Sequence, residues 1–450
     1  MAIKTGSWML GLLLLAPLAL AGQGSPLQWP IPSAPTREPV FPPVLIGGRE
    51  LAGLLKEGRA VPLHARALRE PASYERGHLP GAVADWSPEE EGSGEADRVR
   101  SLLAGRGISG EEAVVLYGPD PERIARLFWL LRRAGCAEVR ILDGGLAAWR
   151  ATGGAVETGP SRRPAAEPRP PLRDTAAVDA GWLGDAIGQA GVELLDVRDA
   201  RGWERWEVPP TFAAGHIPHS LPFDPRALLP KGGGWPKPAE VRRRLGTLGP
   251  RPGDPVRLES TFVLYAEDAH DPRLGLGYLL LTLAGLDVRV FPGGWREWTA
   301  GGTRPTVRVI SAAELASRLK EENPHLTQDL PPRGLILLDL REARDFAIGH
   351  LPGAHGLPFD RMPEEGFAKR MEEGWSGADR ATIPLVLYCY GPDCIRSRDA
   401  GARAARLGFR NVFWFRGGVR EWRDAGYPLL DSPLPTSRQP ASPAGGAARP

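Results

Sequence analysis

Several things are scarce in this chain, and each scarcity excludes something. Three cysteines in 450 residues, Cys136, Cys389 and Cys394, rule out a small scaffold stapled by disulfides. With 8 histidines they never form a ligand-spaced cluster, so no metal site is expected and no organic cofactor is indicated. The net charge is only +2, and acidic residues sit among the arginines all along the chain. That leaves no concentrated basic face, and so no nucleic-acid partner is expected. No apolar run reaches the ~20 residues of a comfortable membrane span. What remains, 42% hydrophobic and 24% charged with 47 prolines and 56 glycines, is a globular composition with many turns and some linker. At about 150 residues per domain, the length points to three domains.

The first residues carry an address. Lys4 gives a positive start, Trp8 to Leu20 is apolar, and Ala19-Leu20-Ala21 is the small-x-small pattern that signal peptidase reads. Residues 1–21 are therefore expected to be a signal peptide, cleaved after Ala21 and before Gly22. The mature chain would be periplasmic or secreted, without stable membrane insertion once the signal is removed. Such a compartment permits disulfides, so each thiol needs its own reading.

What is abundant is repetition. Gly-His-(Leu/Ile)-Pro occurs at Gly77–Pro80, Gly215–Pro218 and Gly349–Pro352, with histidines 138 and 134 residues apart. An apolar run ending in Tyr117, Tyr265 or Tyr388 follows each time, and then a Gly-Gly-x-x-x-Trp ending in Trp149, Trp298 or Trp422. From the residue after each Tyr to the first Gly is 26, 27 and 28 positions. Three landmarks in one order at near-constant spacing mark a repeat. In the third copy Leu335–Leu338 and Leu385–Tyr388 read as buried strands, Ser397–Leu407 as a helix ended by Gly408, and Asn411–Phe415 as a returning strand. Strands alternating with helices predict the α/β class, each unit a central parallel β-sheet flanked by α-helices. The boundaries expected are a Pro-rich linker over 22–44, units over 45–152, 178–303 and 309–430, and a Pro-rich linker over 153–177. That second linker reads as stiff and extended, and 431–450 reads as a disordered tail.

The ordered set of Asp339-Leu340-Arg341, Gly349–Pro352, Tyr388-Cys389, Arg396-Ser397 and Gly417-Gly418 resembles the rhodanese-like sulfurtransferases. The likeness covers nearly all of the mature chain, as three tandem rhodanese-like domains. It implies a parallel sheet of about five strands and a cysteine that becomes a persulfide. The sulfur would come from a small anionic donor such as thiosulfate and pass to a thiol or cyanide-like acceptor.

That chemistry needs a thiolate near neutral pH beside room for an anion. A cysteine between a strand end and a helix N-terminus supplies both, because the helix dipole favours negative charge there. Only Cys389 is so placed. Its expected companions are Tyr390, Gly391, Arg396 and Ser397 for the donor, with Arg398 adding charge, and Cys394 as an auxiliary thiol. Asp339, Arg341 and His350 belong to the structural motif, as do the Trp residues of the Gly-Gly turns. The corresponding positions in the other units are Gly118 and Ala266, which cannot carry a persulfide. Unit 1 also reads His64-Ala65-Arg66 where the others have Asp-x-Arg. Both units are expected to be non-catalytic and to pack against or shield the third. Cys136, between a helix and a strand, is expected to be structural.

The loop departs from the family's short Cys-x4-Arg-Ser form, since six residues separate Cys389 from Arg396. It matches the Cys-x5-Arg of oxyanion-handling relatives no better, while Pro392 removes an N–H and Asp393 repels a dianion. The form Tyr388-Cys389-Tyr390-Gly391-Pro392-Asp393-Cys394 also resembles a subgroup of exported bacterial rhodanese-like proteins. Two other readings stay open: a thiol–disulfide or sulfur-trafficking protein using Cys389 with Cys394, and a non-catalytic binding scaffold.

Overall fold

The structure, a computed structural model, describes residues 43–431 apart from 67–70, 88–95, 162, 169–175, 188, 190, 199–214, 247–256, 303, 330, 360–361, 393 and 395. The signal segment, most of the first linker and nearly all of the tail lie outside the described residues.

Short runs of Val, Leu, Ile and Phe form the strands, and every strand pair is parallel. Unit 1 contributes β1 (Leu45–Ile46), β2 (Ala60–His64), β3 (Val83–Ala84), β4 (Ala113–Tyr117) and β5 (Glu138–Leu142), in the order β1-β5-β4-β2-β3. Unit 2 contributes β6 (Val192–Asp196), β7 (Leu221–Pro222), β8 (Thr261–Tyr265) and β9 (Asp287–Phe291), in the order β7-β6-β8-β9. A single parallel bridge from Ala177 to Val290 stands where a fifth strand would be. Unit 3 contributes β10 (Thr306–Val309), β11 (Ile336–Asp339), β12 (His355–Gly356), β13 (Leu385–Tyr388) and β14 (Asn411–Phe415). Its order, β10-β14-β13-β11-β12, repeats that of unit 1. The three α/β sheets expected from the repeat are present, with β11 displaced one residue toward Asp339. No helix among the described residues is long and apolar enough to cross a membrane.

The repeated landmarks turn out to be fasteners. The Tyr ending each central strand accepts from the backbone N–H after the histidine: Tyr117 from Leu79, Tyr265 from Ile217 and Tyr388 from Leu351, at 3.0, 3.2 and 3.1 Å. The Trp of each Gly-Gly turn donates its indole N–H to a carbonyl just beyond its helix, Ala155, Pro305 or Pro428. The chain then runs antiparallel past the histidine, in bridges His78–Glu157, His216–Val307 and His350–Leu430. In unit 2 that returning segment is β10, the edge strand of unit 3's sheet. One segment therefore closes unit 2 and opens unit 3.

Units 1 and 2 are not separate beads. Their helices Pro121–Arg133 and Pro272–Leu283, each capped by an Asp ahead of a first-turn Pro, pack against each other and bury Arg123–Leu131 and Leu274–Leu281. One hydrophobic core runs through both units, from Val61 to Val290. Gly275 sits at the crossing, where a Cβ would lie 2.8 Å from Arg126 Cα. Arg226 forks onto Glu122 across the same boundary at 2.6 and 2.9 Å. The expected stiff connector is also packed where it is described, since Ala166 N–H donates to the Ala104 carbonyl and Arg163 Nε to that of Gly107. Unit 3 keeps its own two clusters, one on each face of its sheet.

Buried histidines, His64 and His216 among them, make the fold acid-sensitive. Burial pushes His64 down to about 4 and His216 down to about 3, from 6.5. The unfolded chain therefore binds protons that the folded chain refuses. The stability they permit is complete above about pH 6.5 and falls as pH drops toward 4, by ~3 kcal/mol per pH unit for the two together. Urea midpoints at pH 7 and pH 5 should separate accordingly, and His64→Phe with His216→Phe should narrow the gap. An unchanged gap in the double variant would remove the histidines as its cause.

Candidate functional site

Strand β13 ends at Tyr388, and Cys389 follows it into the interior, only 1% exposed. The chain turns through Tyr390-Gly391-Pro392 and enters the helix Arg396–Arg406, one residue earlier than expected. Cys389 and Cys394 are joined by a disulfide, with Cα atoms 6.2 Å apart, and the Cys394 N–H donates to the Gly391 carbonyl at 3.0 Å. In this state neither sulfur is a thiol.

The back of the loop is held by the Gly-Gly turn. Val419 and Arg420 donate their N–H groups to the carbonyls of Cys389 and Tyr390, both at 3.1 Å. Gly418 has φ +56, and a Cβ there would stand 2.3 Å from the Cys389 carbonyl oxygen. Only glycine suits both the left-handed backbone and this approach. Unit 2 repeats the arrangement, with Trp295 and Arg296 donating to the carbonyls of Ala266 and Glu267. The cradle is thus intact around a position with no nucleophile.

Beneath the loop lies a buried ion pair. Arg341 forks onto Asp339 at 2.6 to 3.1 Å and donates to the Gly349 carbonyl at 2.6 Å, tying the strand end to the histidine turn. His350 is fully buried, stacked on Phe346 and hydrogen-bonded to the Phe346 carbonyl and to Asp329. Asp339, Arg341 and His350 all serve as scaffold.

At the mouth, Tyr390 is partly exposed and donates its hydroxyl to Asp345. Burial and that carboxylate raise its pKa. Arg396 lies over the Tyr390 ring at 5.8 Å and pairs with Glu342 at 3.1 Å. The side chain of Arg420 runs past Gly391, its Nε 3.4 Å from where a Cβ would be.

Tyr390, Gly391, Arg396 and both cysteines therefore come together, but two expected residues do not. Ser397 is buried, and its Oγ accepts from the Trp414 indole at 2.9 Å, so its side chain serves the core rather than a donor. Arg398 leaves the site altogether. It turns toward unit 2, near Asp399 and Glu193, where burial lowers its pKa. Two residues along the helix from Arg396, a rotation of about 200° has carried the side chain to another face. Arg420, Glu342 and Asp345 were not anticipated. Arg420 had a signal, because units 2 and 3 both carry Arg at that place in the Gly-Gly turn (Arg296, Arg420) whereas unit 1 has Ala147. Cys136 is buried and burial pushes its thiol up to about 12, leaving it inert at neutral pH.

Comparison with known proteins agrees with this geometry. The "Rhodanese-like domain" family matches at residues 49–152, 179–301 and 311–425, well over half of the chain. The chain is 35% identical to "Putative thiosulfate sulfurtransferase SseB" of Mycobacterium tuberculosis, over 59% of this chain and 97% of that protein. It is 32% identical to "Probable 3-mercaptopyruvate sulfurtransferase" of Pseudomonas aeruginosa, over 58% and 96%. Among solved structures, wild-type EanB aligns at TM-score 0.47 and 21% identity, covering 58% of this chain and 68% of that one. The chain belongs to the rhodanese-like domain family, as three tandem copies of which the third alone has a cysteine at the end of its central strand.

Proposed function

We propose that this protein is a sulfurtransferase working through a persulfide on Cys389, in an exported chain. The observation that carries the reading is the cradle around Cys389: a cysteine at the strand end, a Gly-Gly turn fixing its carbonyl, and Arg396 and Arg420 beside the loop. The two relatives named as sulfurtransferases, matched over nearly their whole length, support the same class.

A reducing dithiol must open the disulfide first, becoming oxidised itself as Cys389 and Cys394 return to thiols. The Cys389 thiolate then attacks the outer sulfur of a donor such as thiosulfate, the S–S bond of the donor breaks, and sulfite leaves with the electron pair. An acceptor such as cyanide takes the outer sulfur and returns the thiolate. The cations stabilise the incoming dianion, and the N-terminus of the Arg396–Arg406 helix favours the thiolate. Arg396→Ala should raise KM for thiosulfate roughly tenfold, with kcat less affected. A KM unchanged in steady-state thiocyanate formation would remove Arg396 from donor binding.

The disulfide favours a second reading. Cys394 can attack the inner sulfur of the Cys389 persulfide, closing the Cys389–Cys394 bond and releasing hydrosulfide. The pair would then run as a two-electron couple in sulfur trafficking. Intact mass decides between the two. Reduced, desalted protein is given thiosulfate and then cyanide. One added sulfur on Cys389, removed by cyanide, supports the stable persulfide. Return to the disulfide with hydrosulfide release supports the couple.

A further inference from the structure

A chamber of about 500 Å³ opens far from Cys389 along the sequence, at the place in unit 1 where the central strand has no cysteine. Its walls include His64, Ser73, Arg76, Gly118 and Leu146 of unit 1, Leu229 and Trp235 of unit 2 stand across from them, and one side is open to solvent.

Three departures of unit 1 from its sister copies make the space. His64 replaces the Asp of Asp-x-Arg, so Arg66 has no partner at the strand end and turns away to Asp85, 2.9 Å off. The Gly-Gly turn does not close on the strand-end loop. A Cβ on Gly145 would meet nothing within 4 Å, whereas on Gly294 and Gly418 it would meet carbonyl oxygens at 2.6 and 2.3 Å. The strand-end position itself has collapsed, because a Cβ on Gly118 would stand 2.2 Å from the Ala65 carbonyl oxygen. A cysteine cannot be restored there without moving backbone, so the chamber is not a catalytic site with one side chain missing.

The lining indicates what would fit. The helix that starts beside the chamber, Pro121–Arg133, has its first free N–H groups capped by the Asp120 carboxylate, which accepts from Glu122 and Arg123. The helix start therefore offers an anion no free N–H group, and the charged side chain in the wall, Arg76, already has a partner of its own. Most of the wall is apolar side chain and glycine backbone. Against it stand two buried polar atoms, Nδ1 of His64 and Oγ of Ser73, with no hydrogen-bond partner among the described residues. His64 is 3% exposed, lies edge-on to Tyr74 and Tyr117, and is held neutral by burial. A buried polar group left unpaired is costly, and pockets of this volume and polarity are those that enclose small organic molecules.

We propose that unit 1 is a binding module for a small, uncharged, largely aromatic molecule bearing one hydroxyl, which the chamber encloses and which pairs with His64 and Ser73. A hydroxyl both donates and accepts, so it suits either imidazole tautomer. The proposal stands independently of the chemistry at Cys389.

The test uses the full-length protein and 2-naphthol as the probe, titrated calorimetrically alongside naphthalene and 2-naphthalenesulfonate. One saturable site for 2-naphthol is expected, with the sulfonate at least ~10-fold weaker because its charge is unwelcome. Leu146→Trp, which fills the chamber, should abolish the heat. His64→Phe should weaken 2-naphthol by ~10-fold while leaving naphthalene unchanged, and Cys389→Ser should change neither. Thermal unfolding shows which variants are folded, and if His64→Phe is not, Leu146→Trp decides. Absence of saturable 2-naphthol binding, or full affinity in the folded variants, overturns the proposal.

Discussion

Replacing Cys389 with Ser should reduce sulfur transfer from thiosulfate to cyanide by roughly 10³-fold or more, because it removes the proposed sulfur-carrying nucleophile. Cys136→Ser should leave the rate within about twofold, since that thiol is buried and stays protonated. The comparison must be made on reduced protein, because the disulfide masks the proposed nucleophile in the wild type. Cys394→Ser then adds a second reading of the same assay. It should free Cys389 from the disulfide and give activity without prior reduction if the stable persulfide is the working form. If the pair is the working form, Cys394→Ser should stop hydrosulfide release while Cys389 still accumulates sulfur. A Cys389→Ser protein that still forms thiocyanate at the wild-type rate would refute the assignment outright.

The second large effect concerns the ion pair beneath the loop. Asp339 is fully buried, and Arg341 hangs on it by a fork as well as on the Gly349 carbonyl. Asp339→Asn keeps the volume but leaves a buried guanidinium without its counter-charge, which costs about 3–5 kcal/mol. Because units 1 and 2 share a core that unit 3 does not enter, the loss should be confined. Urea unfolding followed by limited proteolysis should show the third unit melting early and the first two near their original midpoint. Asp196→Asn, which removes the corresponding partner of Arg198, should do the reverse. If Asp339→Asn lowers both transitions equally, unit 3 does not unfold on its own.

How legible this was from sequence can be argued residue by residue. The histidine turns, the Tyr-ended strands and the Gly-Gly-x-x-x-Trp turns repeat because each is a backbone fastener, and fasteners tolerate little change in spacing. They therefore revealed the fold and the loop holding Cys389. Periodicity along one unit says nothing about which faces meet between units, so the helix pair Pro121–Arg133 and Pro272–Leu283 was invisible as a shared core. The same blindness sent Arg398 to the wrong place, since its neighbour Glu193 is two hundred residues away. The side chain of Ser397 was equally illegible, because the sequence places its backbone at the helix start and says nothing of where the Oγ goes. Its real partner is the Trp414 indole, brought in by the fold. The chamber in unit 1 had a trace in the sequence, His64 in place of Asp, but a lost motif looks the same whether it leaves a filled core or a space.

The double service of Thr306–Val309 has a consequence for how this chain can be divided. A cut after Val309 would deprive the third sheet of its edge strand and leave β14 exposed to solvent. A cut before Thr306 would free that strand but deprive His216 of both hydrogen bonds that pin its turn. Either cut leaves one of its two fragments without a part it uses. A third copy excised with Thr306–Val309 keeps its sheet whole, and the loss falls on the cysteine-free copy it leaves behind.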